Sequence, residues 1–284
     1  MVFSTNHPML FPKDCGILFG TLSNEEVLAL TTELTEKEKA HPHAKYHELT
    51  PAPLPAELAQ AIDGGPMDPS KGFGMEDYGK FMNNTGHCEV ENGYCVLPNG
   101  VTYAAALIRQ EGRTDEMVDW YNKEFAACDN LFYKIWNPEA HYLHYENGCV
   151  ENFGYGRMNM KFAGGVQVED LGMNIEDIAK NDPACIQIGG TTSIGYNLDS
   201  DHPDVPEWNT IVFYHRLTDY GREMRIRLWC GQGVENGKYV YTIPAPEEAL
   251  DMARYTMIHM MKEYTNDNFL EKKFWEDTKG VREA

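Results

Sequence analysis

The stretch that most constrains the fold runs from Pro246 to about Glu276, where no proline or glycine interrupts a helical pattern. Pro246 suits the first position of a helix, because its missing N–H costs nothing there. Acidic residues follow at once, and negative charge favours the first turn. Apolar residues then recur at three- and four-residue steps, namely Leu250, Ala253, Met257, Met260, Met261 and Tyr264. This spacing predicts one long amphipathic helix with a single buried stripe.

Two residues of this helix, His259 and Glu263, could bind a metal ion. They are four positions apart, so their side chains share a face about one turn from each other. An imidazole nitrogen and a carboxylate oxygen are both ligands that suit zinc. The same spacing is common by chance on solvated helix faces, so an ordinary surface pair stays open. The metal interpretation needs at least two further ligands from elsewhere in the chain.

Length and composition limit the classes of protein to which this chain can belong. The chain has 284 residues, which allows one large domain or one domain with a smaller appendage. A formal net charge of −20 argues against nucleic-acid partners and against an anionic membrane surface. No apolar run approaches the roughly 20 residues needed to cross a bilayer. We therefore expect a protein that binds neither nucleic acid nor membrane.

The cysteines and the N-terminus suggest a compartment. The seven cysteines are odd in number and form no CxxC pair, which argues against a disulfide framework and against a cysteine-based zinc ribbon. Free thiols fit a reducing environment. The first residues also lack the basic start and apolar core of a signal peptide. These features predict a cytoplasmic protein.

The pattern along the chain divides it into residues 1–93 and 94–284. In the first part, Ser23 or Asn24 caps a predicted helix that reaches about Glu38. Closely spaced prolines then favour irregular backbone. A short helix is expected from Glu57 to Ile62, and residues 66–93 are predicted to form a loop. We predict a smaller, mixed or helical N-terminal appendage here.

The pattern of residues 94–284 predicts an α+β domain. Strands around an Asn99-Gly100 turn form a hairpin, and two helices follow, the second from about Asp129 to Trp136. Several antiparallel strands come next, and one of them, Glu223 to Trp229, alternates strictly. Its arginines, Arg225 and Arg227, are expected to face solvent or acidic loops. A sheet with one face covered by a long helix is a two-layer arrangement. It matches a helix-grip fold, with a ligand cavity between sheet and helix.

Several stretches between about residues 94 and 265 resemble the 2,4-diacetylphloroglucinol hydrolase and phloretin hydrolase family. The resemblance rests on Met117–Tyr121, Tyr133–His141 (Tyr-Lys-Ile-Trp-Asn-Pro-Glu-Ala-His), Val168–Gly172, Phe213–Arg216, Arg225–Trp229 and His259–Glu263. It implies a helix-grip (Bet v 1-like) hydrolase domain behind a smaller N-terminal domain. It also implies a zinc ion held by two histidines and two glutamates, and a homodimer or larger assembly.

The zinc ligands carried over from the resemblance are His141, His259, Glu263 and one glutamate from the strand region. Glu169 in Val-Glu-Asp-Leu-Gly is the best match for that glutamate, and it could also act as a base. The competing positions are Glu176, Glu151 and Glu146. The resemblance further implies that Tyr133 donates a hydrogen bond to the substrate and that His215 handles a proton on a ring hydroxyl. His144 either orients the first ligand or is exposed.

The activity implied is hydrolysis of the C–C bond between an acyl group and a phloroglucinol-type ring. Phloretin would give phloroglucinol and phloretic acid, and diacetylphloroglucinol would give monoacetylphloroglucinol and acetate. Zinc suits this reaction because it lowers the pKa of water from 15.7 towards about 7. Two alternatives stay open. One is a non-catalytic helix-grip carrier of an apolar aromatic ligand, and the other is a zinc enzyme acting on a different β-diketone.

Overall fold

The computed structural model describes residues 22–127, 129–145 and 147–282. Within these ranges the helices are α1 Asn24–Leu28, α2 Glu36–Lys39, α3 Ala56–Asp63, α4 Tyr78–Met82, α5 Asp115–Ala127, α6 Asp129–Trp136, α7 Ile175–Asn181 and α8 Pro246–Arg282. The strands are β1 Gly93–Val96, β2 Thr102–Glu111, β3 His141–Tyr145, β4 Gly148–Asn152, β5 Arg157–Val166, β6 Cys185–Asn197, β7 Pro206–Thr218, β8 Gly221–Cys230, β9 Gln232–Glu235 and β10 Lys238–Tyr241.

A large antiparallel sheet forms the centre of the molecule. Its eight strands lie in the order β1-β2-β8-β7-β6-β5-β4-β3, and β9 pairs with β10 separately. Strand β2 pairs with β8 along its length, so the N-terminal hairpin joins the last long strand. The predicted Asn-Gly turn is confirmed, since Gly100 has φ of +88° and Leu97 donates to the Val101 carbonyl at 2.8 Å. The predicted α+β class, with an antiparallel sheet and a C-terminal helix, is confirmed at this level.

Helix α8 begins at Pro246 as predicted but ends later than expected, continuing through Gly280 to Arg282. Most of the predicted stripe is buried, including Met257 and Met260. The prediction that Leu250 belongs to the buried stripe is wrong, because its side chain is 41% exposed. Ala249 and Met252 are buried at this end of the helix instead. The stripe packs on Ala104, Ala106, Ile108, Met224, Ile226 and Leu228 of the sheet.

The opposite face of the sheet is also covered, which the sequence did not predict. Arg225 and Arg227 are fully buried, so they do not face solvent, and of the two alternatives expected for them the contact with an acidic loop is the one present. Both guanidinium groups pair with the carboxylate of Glu91. Around them a cluster combines residues from 67–91 with the sheet, among them Phe73, Met75, Tyr78, Tyr103, Tyr214 and Trp229. The molecule therefore has a third layer beside the predicted two.

The N-terminal part begins as predicted and then differs. Ser23 caps α1 in a capping box with Glu26. The helix ends at Leu28 instead of continuing to about Glu38, and α2 starts separately from a second capping box at Thr35. The short helix predicted from Glu57 to Ile62 is present as α3. The division at residue 93 stays a prediction.

Two further expectations bear on compartment. No helix in the described ranges is long and apolar enough to cross a membrane. Five cysteines are free, namely Cys88, Cys95, Cys149, Cys185 and Cys230. Cys15, Cys128 and the stretch considered for a signal peptide lie outside the described residues.

Candidate metal centre

Four side chains from three elements meet under helix α8. His141 begins β3, Glu151 lies in β4, and His259 and Glu263 lie one turn apart on α8. One ligand atom of each lies within 4.8 Å of the others, and all four residues are buried. His141 and Glu151 face each other across the β3–β4 pair. The hairpin and the helix therefore each supply half of the cluster.

The distances within the cluster suit a single small ion. Nε2 of His259 lies 2.8 Å from Oε2 of Glu151 and 3.0 Å from Oε2 of Glu263. Nε2 of His141 lies 3.2 Å from both of these oxygens. In a tetrahedral zinc site with ordinary bond lengths, neighbouring ligand atoms are about 3.3–3.6 Å apart. The four N···O distances are slightly shorter than this, and the ligand atoms all lie within 4.8 Å of one another, so one ion between them could contact all four.

Both imidazoles are held in the orientation that metal binding needs. Nδ1–H of His141 donates to the carbonyl of Tyr133 at 2.8 Å, and Nδ1–H of His259 donates to that of Asn152 at 3.2 Å. Each Nε2 is therefore directed at the carboxylates. A backbone partner on the far nitrogen is the usual support of a metal-binding histidine. The donor set thus fits zinc.

The electrostatics require positive charge between the two carboxylates. Burial alone would lower the pKa of His259, but Glu263 and Glu151 outweigh it and raise the pKa to about 10. Burial would likewise raise the pKa of Glu151, but His141 and His259 hold it well below its usual range. Buried carboxylates are costly without a counter-charge. Either two imidazolium protons or a metal ion must supply that charge.

The cluster forms part of the wall of a cavity that opens to solvent. The ring of Tyr133 stacks on His141 at 4.0 Å between centroids, and that of Phe153 stacks on His259 at 4.3 Å. The indole of Trp136 donates to the Glu263 carbonyl at 3.0 Å. Apolar side chains form much of the remaining wall, including Met158, Met160, Phe162 and Leu228. The cavity therefore suits a flat apolar ring beside a charged centre.

The assignment of Glu169 as a ligand is not supported by the structure. Glu169 lies on the 3-10 turn Glu169–Leu171, where it is exposed and outside the four-residue cluster. Glu151, one of the alternatives, takes its place because the β3–β4 pairing sets it opposite His141. Glu176 is exposed at the start of α7, and Glu146 lies outside the described residues.

Tyr133 and His144 line the cavity, whereas His215 does not. The Tyr133 hydroxyl is buried beside the Cys149 thiol. His144 is buried, and burial lowers its pKa to about 4, so its imidazole is neutral near pH 7.

His215 lies two residues after Phe213 on β7, and the Phe213 ring contacts both His215 and Tyr264. Burial, with Arg113 and Arg222, lowers the pKa of His215 to about 3. His215 is not among the residues that line this cavity, and the role predicted for it stays a prediction.

Sequence reasoning missed a set of polar side chains on the cavity floor. Thr191 and Ser193 of β6 and Asn209 of β7 also line the cavity. Ser193 and Asn209 are direct partners in the sheet. Alternate polar positions in a strand were the signal that could have revealed them. They provide hydrogen-bonding groups for hydroxyls on a ring.

Comparison with known proteins assigns a family. Residues 73–272 match the family model described as DAPG hydrolase PhiG domain. A stretch of 108 residues is 34% identical to a phloretin hydrolase from Eubacterium ramulus. This alignment covers 38% of the present chain and 39% of the relative, so the chain matches about two fifths of that protein's length.

Proposed function

This chain belongs to the DAPG hydrolase family, and we propose that it is a zinc-dependent hydrolase of acylated phloroglucinol-type rings. It would cleave the C–C bond between the acyl group and the ring. The observation that carries the proposal is the convergence of His141, Glu151, His259 and Glu263 at the wall of an aromatic cavity. A carrier of apolar ligands would have no need for such a buried charged cluster. The same cavity between sheet and α8 supports a helix-grip arrangement.

The reaction requires that a poor leaving group be improved. Transfer of a proton from a ring hydroxyl to the acylated ring carbon converts the phenol to its keto tautomer, which makes the acyl group part of a β-diketone. Water then adds to the acyl carbonyl, and the ring–acyl bond breaks. The bonding electrons return to the ring as a stabilised phenolate, and the acyl group leaves as a carboxylic acid. Zinc held by the four ligands would supply Lewis-acid activation of water near neutral pH.

The chain's own residues would position the substrate and move its protons. The Tyr133 hydroxyl, buried beside His141, would donate to an oxyanion on the acyl group. Thr191, Ser193 and Asn209 would bind ring hydroxyls from the floor of the cavity. The methionines and aromatic rings would exclude bulk water, which strengthens each of these polar contacts.

The substrates to test are phloretin and diacetylphloroglucinol. The printed name of the relative favours phloretin. We expect purified protein to release phloroglucinol and phloretic acid from phloretin, and expect the release to stop when a chelator removes the metal. Chromatography of the products measures both. Metal-loaded protein that releases no carboxylic acid from either compound would contradict the proposal. A cytoplasmic homodimer stays a prediction.

A further inference from the structure

A buried thiol contacts one of the cluster carboxylates from the side away from the histidines. Cys149 precedes Glu151 by two positions on β4, so both side chains are on the same face of the strand. Cys149 is 3% exposed. Its Sγ lies 3.2 Å from Oε1 of Glu151, while Oε2 of Glu151 faces the two imidazoles. The two oxygens of this carboxylate therefore have different partners.

The contact is an S–H donor on a carboxylate acceptor. A thiolate at this point would add a third negative charge beside Glu151 and Glu263 in a wall that excludes water, and like charges at this range repel strongly. A protonated thiol has one donor, and Oε1 of Glu151 lies within hydrogen-bonding distance of it, while the Tyr133 hydroxyl approaches the same sulfur. The contact also satisfies a carboxylate oxygen that burial would otherwise leave without a partner.

We propose that Cys149 is a positioning residue of the metal centre. Its S–H group holds Oε1 of Glu151 back against strand β4, and this fixes Oε2 as the oxygen presented to the metal. The proposal rests on the proposed metal-dependent function. It differs from two simpler roles for this side chain: a thiol that only fills space in the core, and a thiolate that binds the metal directly.

Three variants separate these roles. Cys149→Ala removes the donor, and Cys149→Ser keeps a donor of similar size. Cys185→Ala is the matched control, because Cys185 is a fully buried thiol on the opposite face of the sheet. Each protein is stripped of metal, and its zinc affinity is measured by competition with a chromophoric chelator. The absorption spectrum of the cobalt-loaded form reports the geometry of the site independently of activity. Thermal unfolding of the metal-free forms shows whether each variant folds.

We expect Cys149→Ala to bind zinc about 10- to 100-fold more weakly, as loss of an outer partner of a metal ligand usually causes. Its cobalt spectrum should change, Cys149→Ser should recover most of the affinity, and Cys185→Ala should match the wild type. Three results would overturn the role of Cys149. These are wild-type affinity and spectrum in Cys149→Ala, an equal loss in Cys185→Ala, or a sulfur-to-cobalt charge-transfer band in the wild type. Wild-type protein that binds no metal would overturn the metal centre together with this proposal.

Discussion

At the scale of single residues, Glu151 and Glu263 decide whether the cluster can hold a metal. Each carboxylate approaches both imidazoles, so each is shared by His141 and His259. A substitution that removes one of these carboxylates leaves two buried histidines facing a single carboxylate. The effect on metal binding should therefore be large and specific to the cluster glutamates.

The first prediction separates the two candidate glutamates. Glu151→Gln should lower zinc content from near one ion per chain to a small fraction, because a carboxamide is a poor substitute for a zinc carboxylate ligand. Glu169→Gln is the control and should keep full metal content, since Glu169 is exposed on its turn. Elemental analysis after dialysis measures both. Loss of metal in the Glu169 variant with retention in the Glu151 variant would reverse the assignment.

The second prediction concerns Tyr133. Tyr133→Phe should reduce kcat by roughly 100-fold, the usual cost of losing one oxyanion donor, with zinc content unchanged. Tyr241→Phe removes a hydroxyl from a side chain that is 46% exposed and should leave kcat unaltered. Steady-state kinetics with phloretin compare the two. Equal kcat values in Tyr133→Phe and the wild type would exclude the hydroxyl from the reaction.

The ligands differ in how far the sequence could predict them. His259 and Glu263 follow from helical spacing, because four residues place two side chains on one face. Glu151 could not be chosen over Glu169, because its position depends on the register of β3 with β4. That register shifts between His141 and Leu143, and no local pattern in the sequence specifies such a shift.

At the scale of elements, the buried charge group of Glu91, Arg225 and Arg227 joins residues 67–91 to strand β8. The two guanidinium groups have no exposed side-chain surface, and the carboxylate is 10% exposed. Burial alone would raise the pKa of Glu91, but Arg227 and Arg225 outweigh it and hold the pKa at about 2. Removal of the carboxylate would leave two arginine charges buried without compensation.

The third prediction follows from that arrangement. Glu91→Gln should lower the free energy of unfolding by about 3–5 kcal/mol, the cost of breaking a buried ion pair. Glu89→Gln is the control two positions away. Its exposed pair with Lys71 should contribute no more than about 0.5 kcal/mol. Urea unfolding measures both variants. Equal stability of the two would show that the buried pair contributes little.

The fourth prediction is the pH dependence of this group. The folded pKa of Glu91, about 2, lies below the ordinary value of 4.5. The stabilisation that ionised Glu91 gives the folded state is therefore complete above about pH 4.5 and is lost as the pH falls towards 2. Between pH 6 and pH 3 we expect wild-type stability to decline by about 2 kcal/mol more than that of Glu91→Gln. Urea unfolding at pH 6 and pH 3 measures the difference, and parallel declines in the two proteins would contradict it.

At the scale of the whole molecule, the sheet is enclosed on both faces. Helix α8 covers one face, and residues 67–91 cover the other with buried Phe73, Met75 and Tyr78. The α8 layer was predictable because its apolar period is regular. The layer formed by residues 67–91 was not predictable, because these residues form short 3-10 turns and have no long apolar repeat. Their packing also depends on distant partners, since Glu91 pairs with Arg225 more than 130 positions away.

The fifth prediction tests the division at residue 93. A chain that begins at residue 94 would expose the face that carries Tyr214, Arg225, Arg227 and Trp229. We expect it to lose cooperative thermal unfolding and to aggregate, because a large uncovered apolar face promotes association. The full chain is the control in calorimetry and size-exclusion chromatography. A monodisperse fragment with one sharp transition would show instead that residues 94–284 fold independently.

The central claim is that His141, Glu151, His259 and Glu263 bind one divalent ion. Anomalous X-ray diffraction from zinc-loaded crystals at the zinc edge tests it most directly. We predict one strong peak within about 2.0–2.2 Å of both Nε2 atoms and of an oxygen from each glutamate. No peak at this position, with the imidazoles still in direct contact with the carboxylates, would contradict the claim.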